Sequence, residues 1–168
     1  MMKYVPVLFE VDDYEKFYGT IDYKDKVVLE LGADRGSTAW FFLEKGAKKI
    51  ISIERDDIYF SELCYNIEDD ERVIPIHIEI NNSIYLPILI RFFKPDILHS
   101  DCEGGERFLL DVDDSLFSTV KIYQIEVHGY ELHERIIEKL NRLKYEISMD
   151  DNWILHSELW MVVARRIE

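Results

Sequence analysis

The chain is short of several things, and each shortage excludes a class of protein. Its 168 residues hold two cysteines, Cys64 and Cys102, in no C-x-x-C arrangement. A disulfide scaffold or a zinc knuckle needs more thiols at closer spacing, so neither is expected, and a reducing, cytoplasmic setting fits. The plain reading of both thiols is packing, with Cys64 on a helix and Cys102 in a strand. Long apolar runs are also missing. The longest, around Ile84–Ile90, is far too short to span a bilayer, so no membrane association is expected. The opening stretch MMKYVPVLFEVDDYEKF carries acids early and no long apolar run, so it is not read as a signal peptide. Positive charge is scarce: 20 Lys and Arg stand against 34 Asp and Glu, a formal net charge of −14. Such a surface repels a phosphate backbone and makes nucleic acid an unfavoured partner, although Arg165-Arg166 forms a small basic spot.

What the chain does have is alternation. Short β-branched runs are read as strands at Lys26–Leu31, Lys49–Glu54, Val73–Ile80, Asp96–Asp101, Lys121–His128, Tyr145–Met149 and Leu159–Ala164. Helical patterns fall between them. One covers Ser37–Lys45 and stops at Gly46; another covers Asp56–Asp69, with Ile58, Leu63 and Ile67 as core positions. A third begins at Glu106–Asp111, and Leu132–Leu143 is amphipathic. The segment Asn82–Phe93 is apolar and interrupted by Pro87, and reads as a covering helix or lid. Asp12–Tyr18 reads as a short helical cap within residues 1–24, able to fold over a site. The length suits one domain, residues 1–168, with a core over 25–168. Strand–helix alternation of this kind calls for a doubly wound α/β sheet, with ligands at the carboxyl ends of the strands.

Those ends are where the chemistry lies. The first strand runs into Glu30-Leu31-Gly32-Ala33-Asp34-Arg35-Gly36-Ser37. Its glycines let the backbone turn tightly and approach a ligand. Only G-x-x-x-G is present, not the G-x-G-x-x-G of dinucleotide binders, and the turn contains an acid. Asp34 would repel a diphosphate and attract an ammonium, so a cationic nucleoside without phosphate suits it. A glycine-punctuated turn that binds nothing is the open alternative. The second strand ends at Glu54, a place from which a carboxylate can accept hydrogen bonds from both ribose hydroxyls. A solvated strand-end acid is the alternative there.

The fourth strand leads to His99-Ser100-Asp101-Cys102-Glu103-Gly104-Gly105-Glu106. Period two puts His99, Asp101 and Glu103 on one side if the strand persists that far. The fifth ends Glu126-Val127-His128-Gly129, with Glu126 and His128 sharing a side. Carboxylates with an imidazole could accept a hydroxyl proton or hold a hard divalent cation. Asp101 could instead be an N-cap, and His128 a structural hydrogen bonder. His99 lies deeper in its strand and reads as structural. His77, His133 and His156 have no evident partners.

Taken together these motifs resemble the FkbM-type family of S-adenosylmethionine-dependent methyltransferases. The resemblance rests on four features in order: Glu30 to Gly36 (ELGADRG), Glu54 in SIERD, Asp101-Cys102-Glu103-Gly104, and Glu126-Val127-His128. It covers roughly residues 26 to 164. It implies a Rossmann-like methyltransferase fold, a seven-stranded mostly parallel sheet with an antiparallel last strand. It implies cofactor contacts at Glu30, Gly32, Ala33, Asp34, Gly36, Glu54, Arg55 and Asp101, with S-adenosylmethionine as cofactor. It places acceptor-side or catalytic roles at His128, Asp101, Glu103 and Glu126, with His128 or Asp101 as the base. O-methylation of a small-molecule or saccharide hydroxyl is the implied reaction. No metal ligand is assigned, although a divalent cation would serve the same end as a base by lowering the hydroxyl pKa. Cys102 stands where the family has an aliphatic residue, and Glu54 is followed by Arg55 where proline is commoner.

Three other readings remain. A nicotinamide-dependent oxidoreductase is disfavoured by the missing middle glycine and by Asp34. A catalytically degenerate, methyltransferase-like partner domain fits the small size. An RNA methyltransferase is weakened by the charge.

Overall fold

The computed structural model describes residues 11–67, 70–152 and 158–167. Contacts divide the chain into two compact units, residues 1–79 and 80–168.

The first unit contains α1 (Val11–Tyr18), β1 (Val27–Leu31), α2 (Ser37–Glu44), β2 (Lys49–Glu54), α3 (Asp57–Ile67) and β3 (Val73–His77). Its three strands are parallel in the order β3-β2-β1, with Leu29 opposite Ile51 and Ile51 opposite Ile74. Val28, Leu29, Leu31, Ile50, Ile51 and Ile53 are all buried. Burial on both faces is why β1 and β2 read as largely apolar runs, interrupted inside by Glu30 and Ser52, rather than alternating ones. Pro75 is tolerated in β3 because that strand pairs on one side only within the unit, so its missing N–H leaves no ladder bond unmade there.

The second unit contains α4 (Tyr85–Phe93), β4 (Ile97–Ser100), a 3-10 turn at Gly105–Leu109, α5 (Asp114–Phe117), β5 (Ile122–His128), α6 (Tyr130–Arg142), β6 (Tyr145–Asp151) and β7 (Leu159–Arg166). Its strand order is β4-β5-β7-β6. β4 and β5 are parallel, while β7 runs antiparallel to both β5 and β6. The last strand is therefore the antiparallel one, as expected. The seven strands are the seven read from the sequence, with β3 and β4 shorter and β6 and β7 longer than their patterns suggested.

Four sequence expectations are corrected. Ile58 is exposed, because α3 buries the face of Leu63 and Ile67. Pro87 does not interrupt its helix: it lies in the first turn of α4, where backbone N–H groups have no helical acceptor to lose. The segment expected to begin a helix at Glu106–Asp111 is a 3-10 turn. The described part of the N-terminal cap does not lean on the glycine turn. Tyr14 and Tyr18 of α1 pack against Phe41, and Lys45 just past the far end of α2 bonds Glu15 at 2.5 Å. Tyr23 and Phe42 stack beneath them at 4.9 Å. Residues 1–10 of the expected cap lie outside the described residues. Among the described residues, no helix is long and apolar enough to cross a membrane.

Candidate functional site

Two groups of side chains stand at strand ends, one in each unit.

In the first unit the chain leaves β1 at Leu31 and reaches α2 through Gly32–Gly36. Gly32 and Gly36 are both left-handed, at φ 82° and 92°. At Gly36 a Cβ would also stand 2.9 Å from Leu63 Cδ1, so side-chain volume and backbone conformation both demand glycine. The N–H groups of Gly32 and Ala33 both donate to the Ile53 carbonyl, at 3.0 and 2.9 Å. Asp34 is exposed and also left-handed, at φ 46°, a region Asp enters more readily than most residues.

The Asp34 N–H donates to Glu54 Oε2 at 2.8 Å. Glu54 Oε1 accepts from the N–H groups of Arg55 and Asp56, each at 2.7 Å. One nearly buried carboxylate thus gathers backbone donors from both the glycine turn and the turn after β2. The structure brings these two motifs together. The Arg55 side chain points outward, with Nη1 4.0 Å from Glu79 Oε1.

Glu30 is fully buried below the turn. Its Oε2 accepts from Ser52 Oγ at 2.6 Å and its Oε1 accepts from Thr38 Oγ1, which ties β1 to β2 and to α2. Burial pushes its pKa up to about 7. The two hydroxyls pull it down, and the charges of Glu54 and Asp34 push it further up. Its carboxyl is occupied inside the protein, where it holds the turn from beneath.

In the second unit β4 ends at Ser100, so the strand does not persist to Glu103. Residues 101–104 form a turn, with Glu103 at φ 53° and Gly104 at φ 94°. Asp101 sits at the strand end and is half-buried, and the exposed Glu103 reaches back to place Oε2 3.4 Å from His128 Nε2. Cys102 lies in this turn, not in the strand as expected, with Sγ 3.3 Å from Ser100 Oγ. Burial pushes its thiol pKa far up.

Among the described residues, Asp101 caps no helix. The donors of this turn are taken by Glu106, which the sequence reading left without a role. Glu106 is fully buried; its Oε1 accepts the Cys102 N–H at 3.0 Å and its Oε2 the Gly104 N–H at 2.9 Å. Oε1 also lies 3.4 Å from His128 Nδ1. The one sequence signal for this is an acid directly after Gly104-Gly105, where the backbone is free to wrap around a carboxylate.

Glu126 and His128 share a side of β5, in register with Met161 and Leu159 of β7. Glu126 Oε1 is 3.7 Å from His128 Nε2. Asp101, Glu126 and His128 each offer one ligand atom, and these atoms lie within 4.8 Å of one another. Burial and the Glu126 charge raise the Asp101 pKa to about 7, with His128 pulling the other way. Burial also raises that of Glu126. Glu106 above all, with Glu103 and Asp101, raises His128 to about 9 against the opposing effect of burial. At neutral pH the imidazole is a cation among acids.

The remaining histidines are elsewhere. His99 is buried, with Nδ1 3.1 Å from Gln124 Oε1, and burial lowers its pKa to about 4; it is structural, as expected. His77 has a partner after all, with Nε2 3.1 Å from the Arg55 carbonyl oxygen, and its ring stacks on Phe60. His133 does have a partner, Asp150 Oδ1 at 2.7 Å from Nε2, and it stacks on Trp160. His156 lies outside the described residues.

No family model matches the chain. It is 31% identical over 145 residues to the protein named Uncharacterized protein 158B of Sulfolobus islandicus rod-shaped virus 1, across 83% of this chain and 85% of that one. Among solved structures it resembles Aeropyrum pernix fibrillarin in complex with natively bound S-adenosyl-L-methionine, with a TM-score of 0.64 and 17% identity, covering 86% of this chain and 68% of the other. It also resembles the ribosomal protein L11 methylase of Lactobacillus delbrueckii subsp. bulgaricus, with a TM-score of 0.62 and 15% identity, covering 89% and 74%. These likenesses establish a Rossmann-like methyltransferase fold.

Proposed function

The chain belongs to the family of the protein named Uncharacterized protein 158B of Sulfolobus islandicus rod-shaped virus 1, and from that premise and the geometry of the strand ends we propose that it is a single-domain S-adenosylmethionine-dependent methyltransferase. The observation that carries the proposal is the carboxylate of Glu54 bound to the backbone of an acidic glycine turn. This arrangement presents negative charge where a dinucleotide site presents helix N–H groups to phosphate. S-adenosylmethionine carries a sulfonium and an ammonium and no phosphate, and so suits it. The exposed Asp34 carboxylate faces the ammonium, Glu54 accepts from the ribose hydroxyls, and the glycines at 32 and 36 let the backbone come close. Glu30 acts from beneath by fixing the turn.

The acceptor is a hydroxyl of a small molecule or saccharide, taken up by the acidic cluster around His128. Two features support this. The Asp101 carboxyl, poised near neutrality beside the cationic imidazole of His128, suits the acceptance of a hydroxyl proton. The net charge of −14 opposes a polyphosphate acceptor. The FkbM-type affiliation is part of the same reading and rests on the four ordered motifs. Methyl transfer is an in-line displacement in which the cofactor supplies the electrophile. The protein supplies alignment, which can lower a barrier by about 7–11 kcal/mol.

Calorimetric titration of S-adenosylmethionine and of NADP into the full chain tests the cofactor assignment. Binding of the first and not the second is expected, with at least a hundredfold loss in Asp34→Lys and in Glu54→Ala. Unchanged affinity in both variants removes the assigned cofactor site. Turnover over a panel of hydroxyl acceptors then tests the reaction, with His128→Ala expected to slow transfer while cofactor affinity is kept. Cofactor binding without turnover on any acceptor would favour a degenerate partner domain.

A further inference from the structure

We propose that Asp101, Glu126 and His128 form a binding site for a divalent first-row transition-metal cation such as Mn2+, and that Glu106 is the residue that orients His128 within it. The site lies wholly in the second unit and does not rest on the cofactor reading.

Convergence is the first argument. One ligand atom from each of the three residues falls within 4.8 Å of the other two. Donors around a cation at about 2.1 Å stand about 3 Å apart, so modest side-chain rotations close the triangle. The second argument is charge. The half-buried Asp101 carboxyl accepts no hydrogen bond among the described residues, so its oxygens are open to a ligand. Four carboxyl groups, those of Asp101, Glu103, Glu106 and Glu126, surround one imidazole, and no Lys or Arg pairs with any of them among the described residues. Against that much negative charge, a bound dication removes the mutual repulsion of Asp101 and Glu126.

The donor set narrows the cation. Two carboxylate oxygens and one imidazole nitrogen make a mixed O/N site that suits Mn2+ or Zn2+ better than Ca2+ or Mg2+.

Glu106 supplies what a ligating histidine needs behind it. Two backbone N–H groups fix its carboxylate, and Oε1 lies 3.4 Å from His128 Nδ1. Nδ1 is buried and has no well-formed hydrogen bond. A small rotation of the ring puts Nδ1–H on Glu106 and turns Nε2 toward Asp101 and Glu126, where an incoming cation displaces the Nε2 proton to solvent and takes its place, the carboxylate–histidine–metal arrangement. A hydroxyl acceptor bound to the cation would lose its proton more easily.

The test uses the full chain, stripped with a chelator and dialysed. Mn2+ is titrated by calorimetry, and nitrogen coupling to bound Mn2+ is read by electron spin-echo spectroscopy. One equivalent is expected to bind with a nitrogen coupling that disappears in His128→Gln. Asp101→Asn and Glu126→Gln each lose at least tenfold in affinity. Glu106→Gln loses about 10–100-fold, as for other residues that orient a ligand. Glu79→Gln, an acid outside the cluster, binds like the parent. Absence of Mn2+ and Zn2+ binding overturns the proposal, as does bound Mn2+ without nitrogen coupling, a result that needs no variant to fold. Titration of S-adenosylmethionine into the same samples separates the two readings. Cofactor binding without cation binding defeats this inference alone, and cation binding without cofactor binding defeats the cofactor assignment alone.

Discussion

Replacing Glu30 by Gln is expected to stabilise the protein above neutral pH and to flatten its pH dependence. Glu30 is fully buried, and its carboxyl titrates at about 7 in the folded chain against 4.5 for the ordinary side chain. The folded state therefore holds this proton more tightly than the unfolded state. Between those two pH values folding takes up a proton, so stability falls as pH rises. This contribution is fully present below about pH 4.5, is lost as pH climbs through about 7, and stays lost above that. The whole difference is about 3 kcal/mol. No screening discount applies, because the group has no contact with solvent. Glutamine keeps the shape and never ionises. Its amide can accept from one of the Ser52 and Thr38 hydroxyls and donate to the other, since hydroxyls rotate to suit. The variant is expected to exceed the parent by about 2–3 kcal/mol at pH 8 and to match it near pH 4.5. Urea unfolding at pH 4.5, 6, 7 and 8, followed by circular dichroism, measures this directly. A stability difference between parent and variant that is the same at pH 4.5 and pH 8 would refute the reasoning.

Other perturbations follow from the same packing. Gly36→Ala is expected to cost about 1–3 kcal/mol in urea unfolding, because it adds a Cβ at φ 92° and 2.9 Å from Leu63 Cδ1; the further change Leu63→Ala should relieve the steric part alone, read as a non-additive double variant. Lys139→Met should cost about 1–3 kcal/mol, since the buried ammonium donates to the carbonyls of Leu110 and Val112 at 3.1 and 2.6 Å and the variant leaves both without that donor. Phe42→Ala should cost about 3–5 kcal/mol and loosen α1, with faster proteolysis around Tyr14 as the local readout, because Phe42 is the buried ring on which Tyr18 and Tyr23 rest.

Much of the architecture was legible because buried parallel strands advertise themselves. Lys26–Leu31 and Lys49–Glu54 are rich in β-branched and other apolar residues and end in turn residues, and both became strands within one residue of their patterns. The amphipathic run before Leu143 became α6 because its apolar stripe has one sheet face to cover. Errors arose where one-dimensional spacing had to stand in for a neighbour. Ile58 lies near Leu63 and Ile67 in sequence, yet a single face of α3 meets the sheet, and Ile58 is not on it. Pro87 signals a break only when its place in the helix is unknown; in a first turn it costs nothing.

The site follows the same rule. The link between Glu54 and the turn of Asp34 could be anticipated, because strand ends of adjacent parallel strands lie together. The role of Glu106 could not. Its partners are two backbone N–H groups and the imidazole of His128 on β5, and the one mark beside it, the Gly104-Gly105 pair, does not name them. Asp101 read as a site residue with a helix cap as the alternative, and the choice depended on which other group could satisfy the turn.

The placement of β7 has a consequence for synthesis. β7 follows β6 along the chain yet lies between β5 and β6, and pairs with every residue of β5. A nascent chain that has emerged from the ribosome only as far as β6 holds β5 with one bare edge and β6 with no ladder at all. Glu126 and His128 are then carried on a strand whose register nothing has yet locked on that side. A product released early, before Leu159, would present the bare edge of β5 to its neighbours as a template for aggregation.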